Sequence, residues 1–451
     1  MRRQVAPERI VETVLAAAPG AEVEATVVRD ELALTRFANS FIHQNVADES
    51  TTTVLRVHVD GRTVTTSTSS ATPEDLDGFV ASTLEAARTG PRDPGWPGVA
   101  PAVTLPDART LAPLSSPADR AALVRAFVDG AGGLEAAGYC RDRRVTTTFA
   151  NSAGHHGVNT VAGAACDGIA RDGGNDGVAR LATFALGDID GAELGARAAA
   201  KARAAAATKV DLEPGRYEVV LEPSATADII MMLAGLAFNG RSVQQRQSFA
   251  EIGGTQFDPS ITIVDDPVES GLTFDAEGTP TSRLLLVDGG TTAALTYDRH
   301  TAAAVGAAST GHSGAPGATE PVAFNAGIAP GPAADVTDAA AHVHPAAAAL
   351  VAGIERGILV SDFWYTRVLD PKPLAVTGLT RNGLWLIEDG EVTQALSNLR
   401  FTQAYAAALA PGNVTAVGPI AVGEPERWSA SHWSAPALRL ASWNFTGGAA
   451  G

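Results

Sequence analysis

The sequence of 451 residues is short of lysine, cysteine and methionine. Lys201, Lys209 and Lys372 are the only lysines, so arginine carries nearly all the positive charge. None of the three follows a glycine-rich turn at a helix start, which removes a phosphate-cradling loop from consideration. Two cysteines, Cys140 and Cys166, cannot build a disulfide framework or a four-cysteine zinc site. Both fall within strand patterns and read as reduced core residues, with one disulfide as the alternative. No histidine precedes a glutamate, so the His-Glu helix of a metalloprotease is missing. Positive charge is scarce overall. A net charge of −17 gives no bulk attraction for nucleic acid or an anionic membrane. No apolar run approaches the roughly 20 residues of a membrane span. Glu8, Arg9 and Glu12 interrupt any apolar signal region. The expectation is a soluble cytoplasmic protein with neither a nucleic acid nor a membrane as partner.

What is present is ample apolar material, 45% of the chain, and clear periodicity. Glu8–Ala18 has helical spacing; Glu22–Val28, Leu32–Arg36, Ile42–Val46 and Thr53–Val59 alternate as strands. Asp60-Gly61 and Asp389-Gly390 are hairpin turn signals. Pro73-Glu74-Asp75 opens a helix to about Arg88, and Ser116 caps another from Pro117 to Val128. Long strands follow at Gly138–Ala150, Gly157–Asp167 and Gly177–Leu186, then an Ala/Arg helix from Ala192 to Ala207. The crossings at 90–113 and 309–331 are rich in glycine and proline. In the second half, Tyr217–Leu221, Ile261–Asp265, Arg283–Asp288, Ala293–Tyr297, Leu374–Arg381, Gly383–Glu388 and Glu391–Ala395 read as strands. Ala225–Phe238, Arg299–Val305 and Pro345–Arg356 read as helices, and the tail with Trp428, Trp433 and Trp443 as a final strand. The fold class expected is α+β in two domains. Residues 1–207 form an N-terminal α/β domain with an antiparallel sheet; residues 208–451 form a β-rich domain with a buried helix. Phe-Ala-Asn-Ser-x-x-His occurs twice, at Phe37–His43 and Phe149–His155, each time at a strand end that starts a hairpin.

Isolated chemistry is thin. Gly311-His312-Ser313-Gly314 is one residue out of register for a hydrolase elbow and reads as a flexible segment. Acidic pairs such as Asp265-Asp266 and Glu424/Glu426 read as turns or solvated faces. Two longer runs carry more. One is Phe274-Asp275-Ala276-Glu277-Gly278-Thr279-Pro280-Thr281-Ser282-Arg283, after Tyr217–Pro223 and Ile261–Pro267. The other is Gly378–Glu391, with Ile387-Glu388-Asp389-Gly390. With Thr35-Arg36-Phe37-Ala38-Asn39-Ser40, these resemble the TldD/TldE (PmbA) family across most of the chain. That family was once called modulators of DNA gyrase and is regarded as two-subunit zinc peptidases.

The departures are as informative as the matches. The TldD branch carries His-Glu-x-x-x-His on the helix after the proline that Pro223 matches. Those positions here are Met231, Met232 and Leu236, and no cysteine follows Cys166 to supply the branch's later ligand. The resemblance therefore implies the TldE (PmbA) side: a non-catalytic subunit without cofactor. Zinc is expected in a TldD-like partner subunit, with an extended peptide as substrate for maturation or degradation. Asp275, Gly278, Arg283 and Tyr297 are substrate-cleft candidates on the same resemblance, with turn and strand scaffolding as their other reading. Ile229–Phe238 is apolar nearly all round, so Met231 and Met232 read as core packing. A homodimeric scaffold and an independent enzyme using non-metal groups such as Asp275, Arg283 or Tyr297 are the alternatives.

Overall fold

The computed structural model describes residues 5–69, 71–106, 111, 113–317, 321–333, 339–426 and 430–448. Trp428 and parts of the two glycine- and proline-rich crossings lie outside the described residues. The fold is α+β. Strands β1 (Glu22–Ala38), β2 (Phe41–Val59), β3 (Arg62–Thr68), β4 (Glu135–Asn151), β5 (His156–Asp172) and β6 (Asn175–Thr183) form an antiparallel sheet. Their order is β3-β2-β1-β4-β5-β6. Helices α1 (Pro7–Ala17), α2 (Leu76–Thr89), α3 (Pro117–Gly130) and α4 (Gly191–Ala205) cover one face. Ser116 caps α3 as its sequence predicts, and Asp119 completes a capping box with it.

The four short strands expected before residue 60 are two long ones. The polar stretch around residue 30 looks like a break in the alternation. Its charges are instead met across the sheet: Arg29 Nε lies 3.0 Å from Glu49, Arg143 Nη2 2.6 Å from Asp30, and Arg144 Nε 2.9 Å from Glu31. Asn39 and Ser40 turn the chain with φ of 50° and 63°, the left-handed pair a tight hairpin needs.

This sheet repeats itself. Each half runs helix, three strands, helix, and β1 and β4 have 17 residues each. Glu31 lies opposite Arg144, its own counterpart, so a pseudo-twofold axis passes through that pair. The repeated Phe-Ala-Asn-Ser does mark equivalent hairpins, but displaced by one residue. Phe37 therefore points at the helices and packs on Phe127, whereas Phe149 points the other way onto Phe274. The positional counterpart of Phe149 is Arg36.

The second half of the chain builds a mixed sheet of eleven strands. Within it, β7 (Gly215–Leu221), Arg356–Asp370, Ala375–Glu388, Leu399–Ala404 and His432–Gly448 pair in sequence, and β7 returns to His432–Gly448 to close a ring. Helix α5 (Pro223–Met232) buries Ile229 and Ile230 in the largest core, which also holds Val219, Ile358, Phe401 and Trp443. Two expectations fail here, and one strand is unforeseen. The helix foreseen at Pro345–Arg356 is one short turn, Pro345–Ala347, and a helix at Ala348–Val351. Arg356–Asp370 is a strand; Gly357–Phe363 is buried throughout, so it lacks the alternation that marks half-buried strands. Ala293–Tyr297 is not a strand: the ladder with Leu284–Asp288 ends at Thr292, and beyond it only Thr296 makes an isolated bridge, to Asn239.

Candidate functional site

The helix-free face of the N-terminal sheet meets the second unit at a cleft with two lobes. The larger, about 700 Å³, has a floor of Leu32, Leu34, Tyr139, Ile169 and Val178. The smaller, about 360 Å³, is walled by Asp228, Met231 and Met232 of α5 together with Glu424 and Trp433. Asp167, Arg180 and Trp364 line both and join them.

Helix α5 faces two ways. Ile229 and Ile230 are buried, while Met231 is 37% exposed and looks into the small lobe. The expectation that Met231 is core packing is therefore corrected. An apolar side chain here is the wall of a cavity. Met232 is partly buried against the core and also reaches the lobe. After Met232 the chain winds as a π-helix over Leu233–Ala237, with Phe238 N donating to Leu233 O at 3.1 Å. Such bulges recur at functional sites. Leu236 is half-buried on it. Two thioethers and an isobutyl group do not fit a zinc ion, which takes thiolate, imidazole or carboxylate donors. Among the described residues no cluster of three or more His, Cys, Asp or Glu could hold a metal.

The small lobe concentrates ionisable groups. Arg180 bridges Asp362 at 3.0 Å and Asp167 at 3.3 Å. Burial works against its charge, but Asp167, Asp362 and Glu424 outweigh it and hold the guanidinium firmly charged. Glu424 is not on a solvated face as its sequence suggests; it is 4% exposed and both its oxygens accept from Ser224 Oγ at 3.0 Å. Burial pushes its carboxyl up to about 8. Burial also lifts Asp228 to about 6, although Tyr405 Oη donates to it at 2.5 Å. Carboxyls poised near neutrality in a cleft can exchange protons or meet a cation.

The four cleft candidates sit elsewhere and do not come together in either lobe. Asp275 is buried. Its Oδ1 accepts from Glu277 N and Thr279 N, both at 2.9 Å, and its Oδ2 from Ser313 N at 2.9 Å. Burial, with Glu277 adding, lifts it to about 7. Gly278 has φ +77°, and an added Cβ would strike Phe149 at 2.5 Å. Its carbonyl oxygen lies 2.8 Å from His155 Nε2. Asp275 thus shapes the turn itself, and Gly278 fits it against the N-terminal sheet. Arg283 is exposed, 3.8 Å from Asp266. Tyr297 is half-buried, and its ring closes over Gly240. The segment read as flexible is anchored: His312 is fully buried, 2.9 Å from Asp265. Cys140 and Cys166 face each other across β4 and β5 as buried free thiols. Burial pushes Cys140 up to about 12, which makes it a poor nucleophile.

Residues 214–447 match the model of the PmbA/TldA metallopeptidase C-terminal domain, a stretch of more than half the chain. The chain belongs to the PmbA/TldD family. Solved structures agree on the fold. TldE from Thermococcus kodakarensis superposes with a TM-score of 0.80 at 18% identity, covering 98% of this chain and 99% of that one. A protein described as a candidate modulator of a DNA gyrase from Thermotoga maritima gives 0.78 at 18%, covering 97% and 100%. A similarly described protein from Bacteroides thetaiotaomicron gives 0.74 at 18%, covering 98% of each. No curated protein matches the sequence. No helix among the described residues is long and apolar enough to cross a membrane.

Within this PmbA/TldD chain, motif reading missed Asp228, Arg180, Asp362 and Glu424. Arg180 and Asp362 come from distant strands and leave no local signal. Asp228 left one: it is the lone charge in the apolar helix Pro223–Met232.

Proposed function

We propose that this PmbA/TldD chain is a metal-free, non-catalytic subunit that pairs with a zinc-bearing relative of the same fold in the cytoplasm. Together they enclose a cleft for extended, unfolded peptide, which the partner cleaves. The observation that carries this reading is the wall of the small lobe. Where the resemblance places two imidazoles and a general base, α5 presents Met231 and Met232 to the lobe, and the π-helix after it carries Leu236. Thioethers neither bind zinc well nor take a proton from water. Co-expression with a His-Glu-x-x-x-His relative should give a stable complex on a sizing column. Zinc should follow the relative, and peptidase activity should require it. A pure chain that hydrolyses peptide alone after chelation would overturn the reading.

One observation favours a second reading, an independent acid–base enzyme. Glu424 and Asp228 share the small lobe with carboxyls lifted to about 8 and about 6. Turnover by the chain alone, abolished by Glu424→Gln, would move this reading ahead.

A further inference from the structure

The pseudo-twofold axis of the N-terminal sheet divides its helix-free face into two equivalent halves. One half is filled by the chain's own turn at 273–279. Phe274 packs on Phe149 with ring centroids 6.1 Å apart, and its carbonyl accepts from Asn159 Nδ2 at 3.2 Å. Glu277 meets Arg56 at 3.0 Å, and Arg56 also reaches Glu24 at 3.3 Å. The occupant of this half is thus an aromatic side chain followed three residues later by a carboxylate.

The other half is the large lobe. Counterparts follow from the strand register. Arg36 stands for Phe149, Ala137 for Glu24, Tyr139 for Thr26 and Ile169 for Arg56. All four line the lobe. Its floor is apolar, and five arginines surround it: Arg36, Arg141, Arg143, Arg180 and Arg381. That is a concentration of guanidinium in a chain of net charge −17. The four lining aspartates do not offset it evenly. Asp30 is taken up by Arg143, Asp167 by Arg180, and Asp176 by Arg171 at 2.6 Å, while Asp48, the fourth, is exposed. Arg36 is exposed and reaches neutral Gln44 at 3.5 Å, while Arg381 is exposed and lies 4.4 Å over Trp364.

We infer that the large lobe is a binding site for a peptide segment that pairs a bulky apolar side chain with a nearby carboxylate. The segment would occupy the half equivalent to the one Phe274 and Glu277 fill within the chain, with the apolar and charged positions exchanged, since Arg36 stands for Phe149 and Ile169 for Arg56. The apolar side chain enters over Leu34, Tyr139 and Ile169, and the carboxylate meets Arg36 and Arg381. Such a segment gains area burial for affinity and charge pairing for orientation. This inference deepens the proposed peptide cleft and rests on that reading for its biological use. Its chemistry belongs to the lone chain. It also reverses the simplest expectation from composition, that an acidic protein favours basic peptides.

The test uses the full chain and fluorescein-labelled, unstructured Gly/Ser-based peptides of about twelve residues. One carries Glu and, three residues on, Phe, the order of Phe274 and Glu277 exchanged as the lining residues are. Its variants replace Glu by Lys, or Phe by Ala. Anisotropy titrations should show the Phe/Glu peptide binding best. Loss of the ring should weaken binding by about tenfold or more. The Glu-to-Lys change should weaken it about threefold or more, with the preference fading as salt rises. Arg36→Glu should invert the preference towards lysine, and Ile169→Ser should weaken all aromatic peptides. An Arg283→Ala control, outside the lobe, should do neither. Thermal melts of each variant establish that it is folded. Equal or tighter binding of the lysine peptide, or an unchanged preference in folded Arg36→Glu, overturns the inference. Pull-down of the zinc-bearing relative is run in parallel. Pairing without the peptide preference sinks this inference alone. The peptide preference without pairing sinks the proposed subunit role alone.

Discussion

The two halves of the helix-free sheet face share one strand arrangement and differ in nearly every side chain. One half carries Glu24, Arg56 and Phe149, all at most 5% exposed beneath the 273–279 turn. The other carries Ala137, Ile169 and Arg36 and opens onto a cavity of about 700 Å³. The first is committed to holding the two units of the fold together. The second keeps its apolar floor accessible. A repeated scaffold can thus place a permanent joint and a binding surface side by side by changing side chains alone.

The largest effects should fall on the covered half. Arg56→Ala removes the partner of Glu277 and Glu24 in a buried site and should cost about 3 kcal/mol or more. Its counterpart change, Ile169→Ala, should cost about 1 kcal/mol at most. Denaturant melts of the two variants measure the gap directly, and equal costs would break the comparison. Next comes Phe274→Ala, which empties a buried ring site against Phe149 and should cost about 3 kcal/mol. Leu34→Ala, in the open half, should stay below about 1 kcal/mol.

A smaller effect concerns pH and, of the two halves of this face, belongs to the covered one. Burial pushes Glu24 up to about 8, despite Arg56, and Asp275 up to about 7. A carboxyl whose folded pKa lies above its unfolded value binds its proton more tightly when folded. The stability this adds is complete below the unfolded values, near 4, and is lost as pH rises through about 7 to 8. The melting temperature should therefore decline between pH 5.5 and pH 9. Glu24→Gln should flatten that decline; a stability that rises with pH over this range would contradict the burial argument.

Local signals in the sequence reach the elements but not the division of this face. Alternation, the Asp60-Gly61 and Asp389-Gly390 turns and the Ser116 cap locate most strands and helices, and two long motif runs carry the family resemblance. The Phe-Ala-Asn-Ser echo hints at the repeat. Its one-residue displacement hides which positions correspond, because a single step flips the side chain to the opposite face. The strand Arg356–Asp370 is hidden for a related reason, since full burial erases the period. The small lobe is built from Asp228, Arg180, Asp362 and Glu424, which only the packed sheets bring together. Met231 shows the reverse error. Apolar character reads as core, but a cavity wall is apolar too.

The smallest expected effect is the most direct check on what makes the covered half stable. Arg36→Phe places in the open half the residue its counterpart, Phe149, provides in the covered half. If stability came from the sheet position, the new ring should stabilise the fold. If it comes from the segment packed opposite, the ring gains little, because no Phe274 faces it. The second account predicts a change within about 0.5 kcal/mol by denaturant melt. It also predicts tighter binding of the aromatic peptide, with its preference for glutamate over lysine reduced. A marked rise in stability would show that the two halves differ less in purpose than their side chains suggest.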